Sequence, residues 1–176
     1  MSVLSQNLSR PRRRMAIAIA GAGLAAALIG TSFIAAAQDQ SAATPKDVIF
    51  ARKTLMGAIS DNMDQIEMMI AVNKIDLNDG HEHADTMSIM FMAFPHLFPP
   101  SSNQWKPNNA DIDPATDTFA SPDVWSKFPD FYQRAAAASK IAFNISRADK
   151  VDEFKAATAQ LRVACNACHA AYLKTQ

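Results

Sequence analysis

The segment Cys165-Asn166-Ala167-Cys168-His169, near the end of the chain, limits the possible folds more than any other stretch. On a helix, positions 165, 168 and 169 fall on one face. Two thiols at this spacing can each add to a vinyl group of one porphyrin, and the histidine directly after the second can reach the iron from below. The pattern is that of covalent c-type haem attachment, with His169 as proximal ligand. The competing readings are a Cys-x-x-Cys disulfide and half of a zinc site. Cys165 and Cys168 are the only cysteines, and no second Cys-x-x-Cys is present to complete a zinc site.

The N-terminal residues agree with an exported haem protein. Residues 1–14 carry Arg10, Arg12, Arg13 and Arg14 and no acid, and an apolar run follows from Met15 to about Ile34. Ala35-Ala36-Ala37 closes it with the small-x-small pattern of signal peptidase, so residues 1–37 are expected to be a signal peptide cut before Gln38. An uncleaved membrane anchor is the alternative; Gly21, Gly23 and Gly30 and the alanine-rich end argue for cleavage. The expected location is the periplasm, with no membrane span left after cleavage.

Removing residues 1–37 takes four basic residues from a chain with 17 basic and 17 acidic ones, leaving a net charge of −4. Neither that charge nor any basic stripe suits a nucleic-acid partner. Residues 38–176 are one domain's worth of chain and enough for a real core.

That domain reads as four helices. Thr44-Pro45-Lys46-Asp47 is a cap, a first-turn proline and an acid at the positive end of a helix dipole. Val48, Leu55, Ile59, Met63, Ile66 and Ile70 then recur at helical steps, predicting a helix to about Asn73. After a loop over 76–80, a second helix is predicted from about Glu82 to Phe94, stopped by Pro95. Five prolines between 95 and 120 mark a long irregular crossover. Ser121-Pro122-Asp123 opens a third helix, which Pro129 should kink or divide from a short opening turn. A fourth, from about Asp149, carries Val151, Phe154, Leu161, Cys165, Cys168 and Tyr172 on one face. The expected fold is all-α: an antiparallel four-helix bundle with a long crossover between helices 2 and 3 and any cofactor between helices.

With these residues in place the chain resembles the cytochrome c′ family, the class II c-type cytochromes, which attach haem near the C-terminus. The likeness rests on Arg52-Lys53-Thr54-Leu55-Met56, Phe98-Pro99-Pro100, Ser121-Pro122-Asp123-Val124-Trp125 and the terminal Cys165 to Tyr172, in that order. Cytochrome c′ is itself a standing example of the four-helix bundle. The resemblance implies one covalent haem c and gives roles to two further residues. Arg52 lies beside the apolar stripe of the first helix, where it either snorkels to solvent or pairs with a buried acid. In the family the matching arginine meets a haem propionate. Met56, one turn on, matches the position that faces the distal side of the iron; its bland reading is a core methionine.

Met56 therefore decides function. As an iron ligand it gives a six-coordinate haem of raised potential, and the protein is a periplasmic electron carrier serving redox partner proteins. This is the leading expectation. If Met56 only packs over the iron, the haem is five-coordinate and binds nitric oxide or carbon monoxide. An enzyme is the third class and is not expected. Peroxidase chemistry needs a distal acid–base pair, whereas His81, His83 and His96 are placed at the bundle's ends as surface residues. Asp61 and Asp64 read as an exposed helix face. Relatives often form homodimers through the first two helices, a contact that Met68, Met69 and Met92 would suit, although they could equally complete the core. One departure stands out: the family usually has a basic residue after the aromatic that follows the haem histidine, and here Tyr172 is followed by Leu173.

Overall fold

A computed structural model describes residues 43–107, 113 and 117–174. The expected signal peptide lies outside the described residues. The described chain forms α1 (Pro45–Ala71), α2 (Leu77–Ala93), a short α3 (Asp123–Ser126), α4 (Phe128–Ile145) and α5 (Val151–Tyr172). No helix among the described residues is long and apolar enough to cross a membrane.

Local chemistry sets the ends of α1. The Thr44 hydroxyl accepts from the Asp47 amide at 3.2 Å, and the Asp47 carboxylate accepts from the Thr44 amide at 2.8 Å, a reciprocal cap. At the other end Asn73 takes φ 54°, the left-handed conformation that asparagine tolerates. That turn lets the Asn73 and Lys74 amides donate back to Ile70 and Met69, satisfying carbonyls the helix would leave bare.

The second helix starts earlier than expected. Asp76 caps it, accepting from the Asn78 and Asp79 amides, so α2 begins at Leu77 and the supposed loop over 76–80 is largely helix. Gly80 is there for packing. A Cβ at Gly80 would lie 2.5 Å from the ring tip of Phe154, which is fully buried. The glycine that suggested a loop is the notch into which the fourth long helix sets its phenylalanine. Two smaller corrections follow from burial: Ile49, not its neighbour Val48, enters the core, and Val151, at the first turn of α5, is exposed. Pro129 takes the dividing option, standing in the first turn of α4 and separating it from α3.

Four long helices, α1, α2, α4 and α5, make an antiparallel bundle. Asn62 accepts from His83 between α1 and α2. Ser139 donates to the Ser88 carbonyl at 2.8 Å between α2 and α4, where Ala135, Ala138 and Ala142 keep the side chains small. Phe131 meets Tyr172 edge-on between α4 and α5 at 5.3 Å. The crossover joins α2 to α4 at the same end of the bundle at which α1 starts and α5 stops. Within it are two 3₁₀ turns, Phe94–Leu97 and Pro100–Ser102. One side of the bundle is different: α1 and α5 touch only lightly, while α1–α2, α2–α4 and α4–α5 pack along their lengths.

Gly80→Ala should destabilise the protein by about 2 kcal/mol, because the added methyl must displace a ring held on all sides. Thermal denaturation measures this; an unchanged midpoint would mean that the Phe154 ring is free to move.

Candidate functional site

The lightly packed side between α1 and α5 is a cleft in two lobes. The lobe at the crossover end has a cavity volume of about 120 Å³ and the inner lobe about 130 Å³. Both are lined by Met56 from α1, Phe94 and Phe131 from the closed side, and Cys168 and His169 from α5. Cys165 borders the inner lobe and Arg52 the outer one. All five residues singled out from sequence thus line one continuous space, on two helices that run antiparallel.

Each reaches it by helical spacing. Arg52 and Met56 are one turn apart on α1, while Cys165, Cys168 and His169 share the face of α5 that looks at them. Both cysteines are free and half-buried, and burial pushes their thiols up from the usual range. Removal of part of the His169 ring from water, then the nearby Arg162 charge, holds its imidazole below its ordinary pKa. That favours the neutral ring, the form that binds a metal ion.

Arg52 is the most unusual of the five. Its side chain is only 3% exposed, and burial lowers its pKa to about 10. One guanidinium nitrogen donates to the Ser102 hydroxyl at 2.9 Å; the other donates to the Ser102 carbonyl at 3.3 Å and to the Thr118 hydroxyl. The plane lies over Phe98, 4.7 Å from the ring centroid, with Trp125 at 5.5 Å. Among the described residues no carboxylate pairs with it. A buried cation with neutral acceptors only is an incomplete electrostatic arrangement that an anionic group in the outer lobe would complete.

The proximal end of α5 is held by Tyr172, which is buried and donates to Asp130 at the start of α4. Asp130 in turn accepts from Arg134 at 2.7 Å. Leu173 also lines the outer lobe, so an apolar side chain stands where a basic residue was anticipated.

Sequence reasoning missed the crossover's part in the site. Ser102 and Thr118 hold Arg52, and Phe119 and Ala120 line the outer lobe; nothing in the local sequence marks them. Arg162 and Arg134 border the inner lobe. Arg162 was legible in principle, since it precedes Cys165 by three positions and His169 by seven on the same helix face. The other histidines are elsewhere. His81 and His83 are half-buried, not surface residues as expected, and donate to the Ala148 carbonyl and to Asn62, while His96 is exposed beside Tyr132.

Two free thiols and a neutral imidazole on one helix, an apolar slot and a buried unpaired cation at its edge fit a flat, anionic-edged macrocycle attached at two points. Fold and site together define a haem-binding four-helix bundle. The family model described as cytochrome c′ matches residues 47–173. The chain belongs to the cytochrome c′ family and binds one covalently attached haem c. Cytochrome c′ from Thermochromatium tepidum superposes with a TM-score of 0.66 at 19% identity, covering 76% of this chain and 98% of that one. Cytochrome c prime from Shewanella frigidimarina gives 0.63 at 22%, covering 74% and 97%. A mutant cytochrome c prime from Alcaligenes xylosoxidans, in complex with nitric oxide, gives 0.62 at 18%, covering 76% and 98%. No curated protein matches the chain.

Burial first, then the bond to Asp130, raises the Tyr172 hydroxyl above its ordinary pKa. A raised folded value means stability that is fully present below the unfolded pKa of about 10 and lost as pH rises through the folded one. Denaturation midpoints should therefore fall above that pH, and Tyr172→Phe should flatten the alkaline fall; a parallel curve for the variant would remove Tyr172 as its source.

Proposed function

We propose that this chain is an exported haem protein whose distal face, beneath Met56, is open to nitric oxide or carbon monoxide. Cys165 and Cys168 hold the haem through two thioethers, His169 is the proximal iron ligand, and Arg52 receives a propionate. The haem, when bound, supplies an iron that takes diatomic ligands or single electrons. Met56 packs over the distal side as an apolar cover.

One observation carries this reading. Among the residues common to both lobes, the only hydrogen-bonding groups are the Cys168 thiol and the His169 ring, both on α5. At the centre α1 offers the Met56 thioether and the closed side two phenylalanines, while Arg52, Lys53 and Ser60 of α1 each line one lobe only. An apolar centre without a donor leaves bound dioxygen unsupported and tolerates nitric oxide or carbon monoxide, which need no such donor. The nitric oxide complex of the Alcaligenes xylosoxidans relative supports the same choice. Among the described residues that face carries no histidine or acid, which speaks against peroxidase chemistry.

Single-electron transfer is the second reading, and it rests on the same side chain. The Met56 thioether faces the cleft from the helix opposite His169 and is chemically able to ligate iron. With both axial positions filled, the protein would be a periplasmic electron carrier.

Ferric and ferrous spectra of the haem-loaded protein, with and without carbon monoxide, separate the two. The expected result is a high-spin ferrous spectrum that sharpens with carbon monoxide and changes little in Met56→Ala. A low-spin spectrum indifferent to carbon monoxide that turns high-spin in Met56→Ala would overturn the open-face reading in favour of electron transfer. Cys165→Ser and Cys168→Ser should each leave a single thioether, and the double variant should release haem into acid acetone. Retention of covalent haem by the double variant would sink the attachment assignment.

A further inference from the structure

The polar contacts between α1 and α5 converge on one side chain. Arg162 donates to the two carboxylate oxygens of Glu67 through Nε at 2.7 Å and Nη2 at 2.6 Å, a two-pronged pair, with Asp64 at 3.7 Å. Glu67 lies on α1 and Arg162 on α5, so the pair spans the side of the bundle where the helices otherwise barely meet. Arg162 borders the inner lobe together with Met56, Cys165 and His169. Both side chains are 38% exposed, which places the pair at the rim of the cleft and not in its floor.

We propose that the Arg162–Glu67 pair is a strap across the inner mouth of the haem slot, positioning α1 against α5 and so governing how readily small ligands reach the distal face. This rests on the reading that the haem lies between Met56 and His169. The outer end of the slot is closed by main chain: the Ser121 amide donates to the Tyr172 carbonyl and the Lys174 amide to the Phe119 carbonyl, both at 2.8 Å. Among the described residues the inner end is held by the side-chain strap. Planar two-point pairing makes it directional, so lysine cannot reproduce it by charge alone.

The role as a strap is separable from the effect of a charge near the iron. Arg162→Gln removes a positive charge and Glu67→Gln a negative one. Effects through the local field must move the haem potential in opposite directions, whereas loss of the strap moves ligand entry in the same direction in both. The probes are carbon monoxide binding to the ferrous holoprotein and cyanide binding to the ferric one, which also displaces a weak thioether ligand. Lys150→Gln, which breaks an exposed ion pair with Glu153 away from the slot, is the control.

Association is expected to quicken about threefold or more in both glutamine variants, the scale of a half-exposed ion pair, and to be only partly restored in Arg162→Lys. Amide exchange over residues 60–67 should rise in step. Association rates like those of wild type and of Lys150→Gln, or opposite changes in the two glutamine variants, would overturn the strap. If carbon monoxide fails to bind wild type while cyanide entry responds as expected, the open-face reading falls and the strap stands. Normal carbon monoxide binding with no response in either variant gives the reverse.

Discussion

Taking a guanidinium out of water without a carboxylate to receive it carries a large desolvation penalty, and much of this structure is arranged around one such group. Arg52 projects from the first helix into the end of the bundle, beside the touching rings of Phe98 and Trp125, and its donors reach Ser102 and Thr118. Those acceptors belong to the crossover, at positions 102 and 118. The same contacts that make burial of the cation tolerable therefore wrap the crossover over the end of the cleft. Trp125 adds to the wrap by donating its indole N–H to the Phe98 and Pro99 carbonyls. What remains unsatisfied is charge, since every acceptor of Arg52 among the described residues is a neutral oxygen.

The bundle makes room for the cofactor by unequal packing. On the α2–α4 side, alanines and a serine pair let the backbones approach closely. On the α1–α5 side the space is lined by Met56, phenylalanines and the attachment residues. A four-helix bundle with four equal interfaces has no place for a macrocycle; closing three sides tightly and leaving the fourth slack creates one. Nonpolar lining at the centre and the carboxylate-free Arg52 at the outer end give the slot a polarity that matches a porphyrin's hydrophobic body and single charged edge.

Much of this was legible in the sequence because it depends on local spacing. The i, i+3, i+4 placement of Cys165, Cys168 and His169 and the one-turn step from Arg52 to Met56 required only that the segments be helical. The cap at Thr44 was equally readable, and Pro129 was legible as a break, but whether it would kink the helix or divide it was not. Gly80 was misread because a glycine's demand for a close neighbour looks, in sequence, the same as its tolerance of a turn; Phe154, which needs the notch, lies far along the chain. The partners of Arg52 were invisible for a related reason. Ser102 and Thr118 are ordinary loop residues until the fold brings them to a cation 50 and 66 positions away.

The isolated antiparallel bridge between Ala120 and Leu173 has a consequence for the order in which the molecule assembles. It stitches the end of the crossover to the residue that follows α5, joining segments separated by the whole of α3, α4 and α5. Such a non-local pairing repays its loop-closure entropy only after the intervening helices are in place. The outer end of the slot is thus among the last features that folding can complete. Until that bridge forms, the helix bearing the two thiols is not tied to the crossover at its C-terminal end.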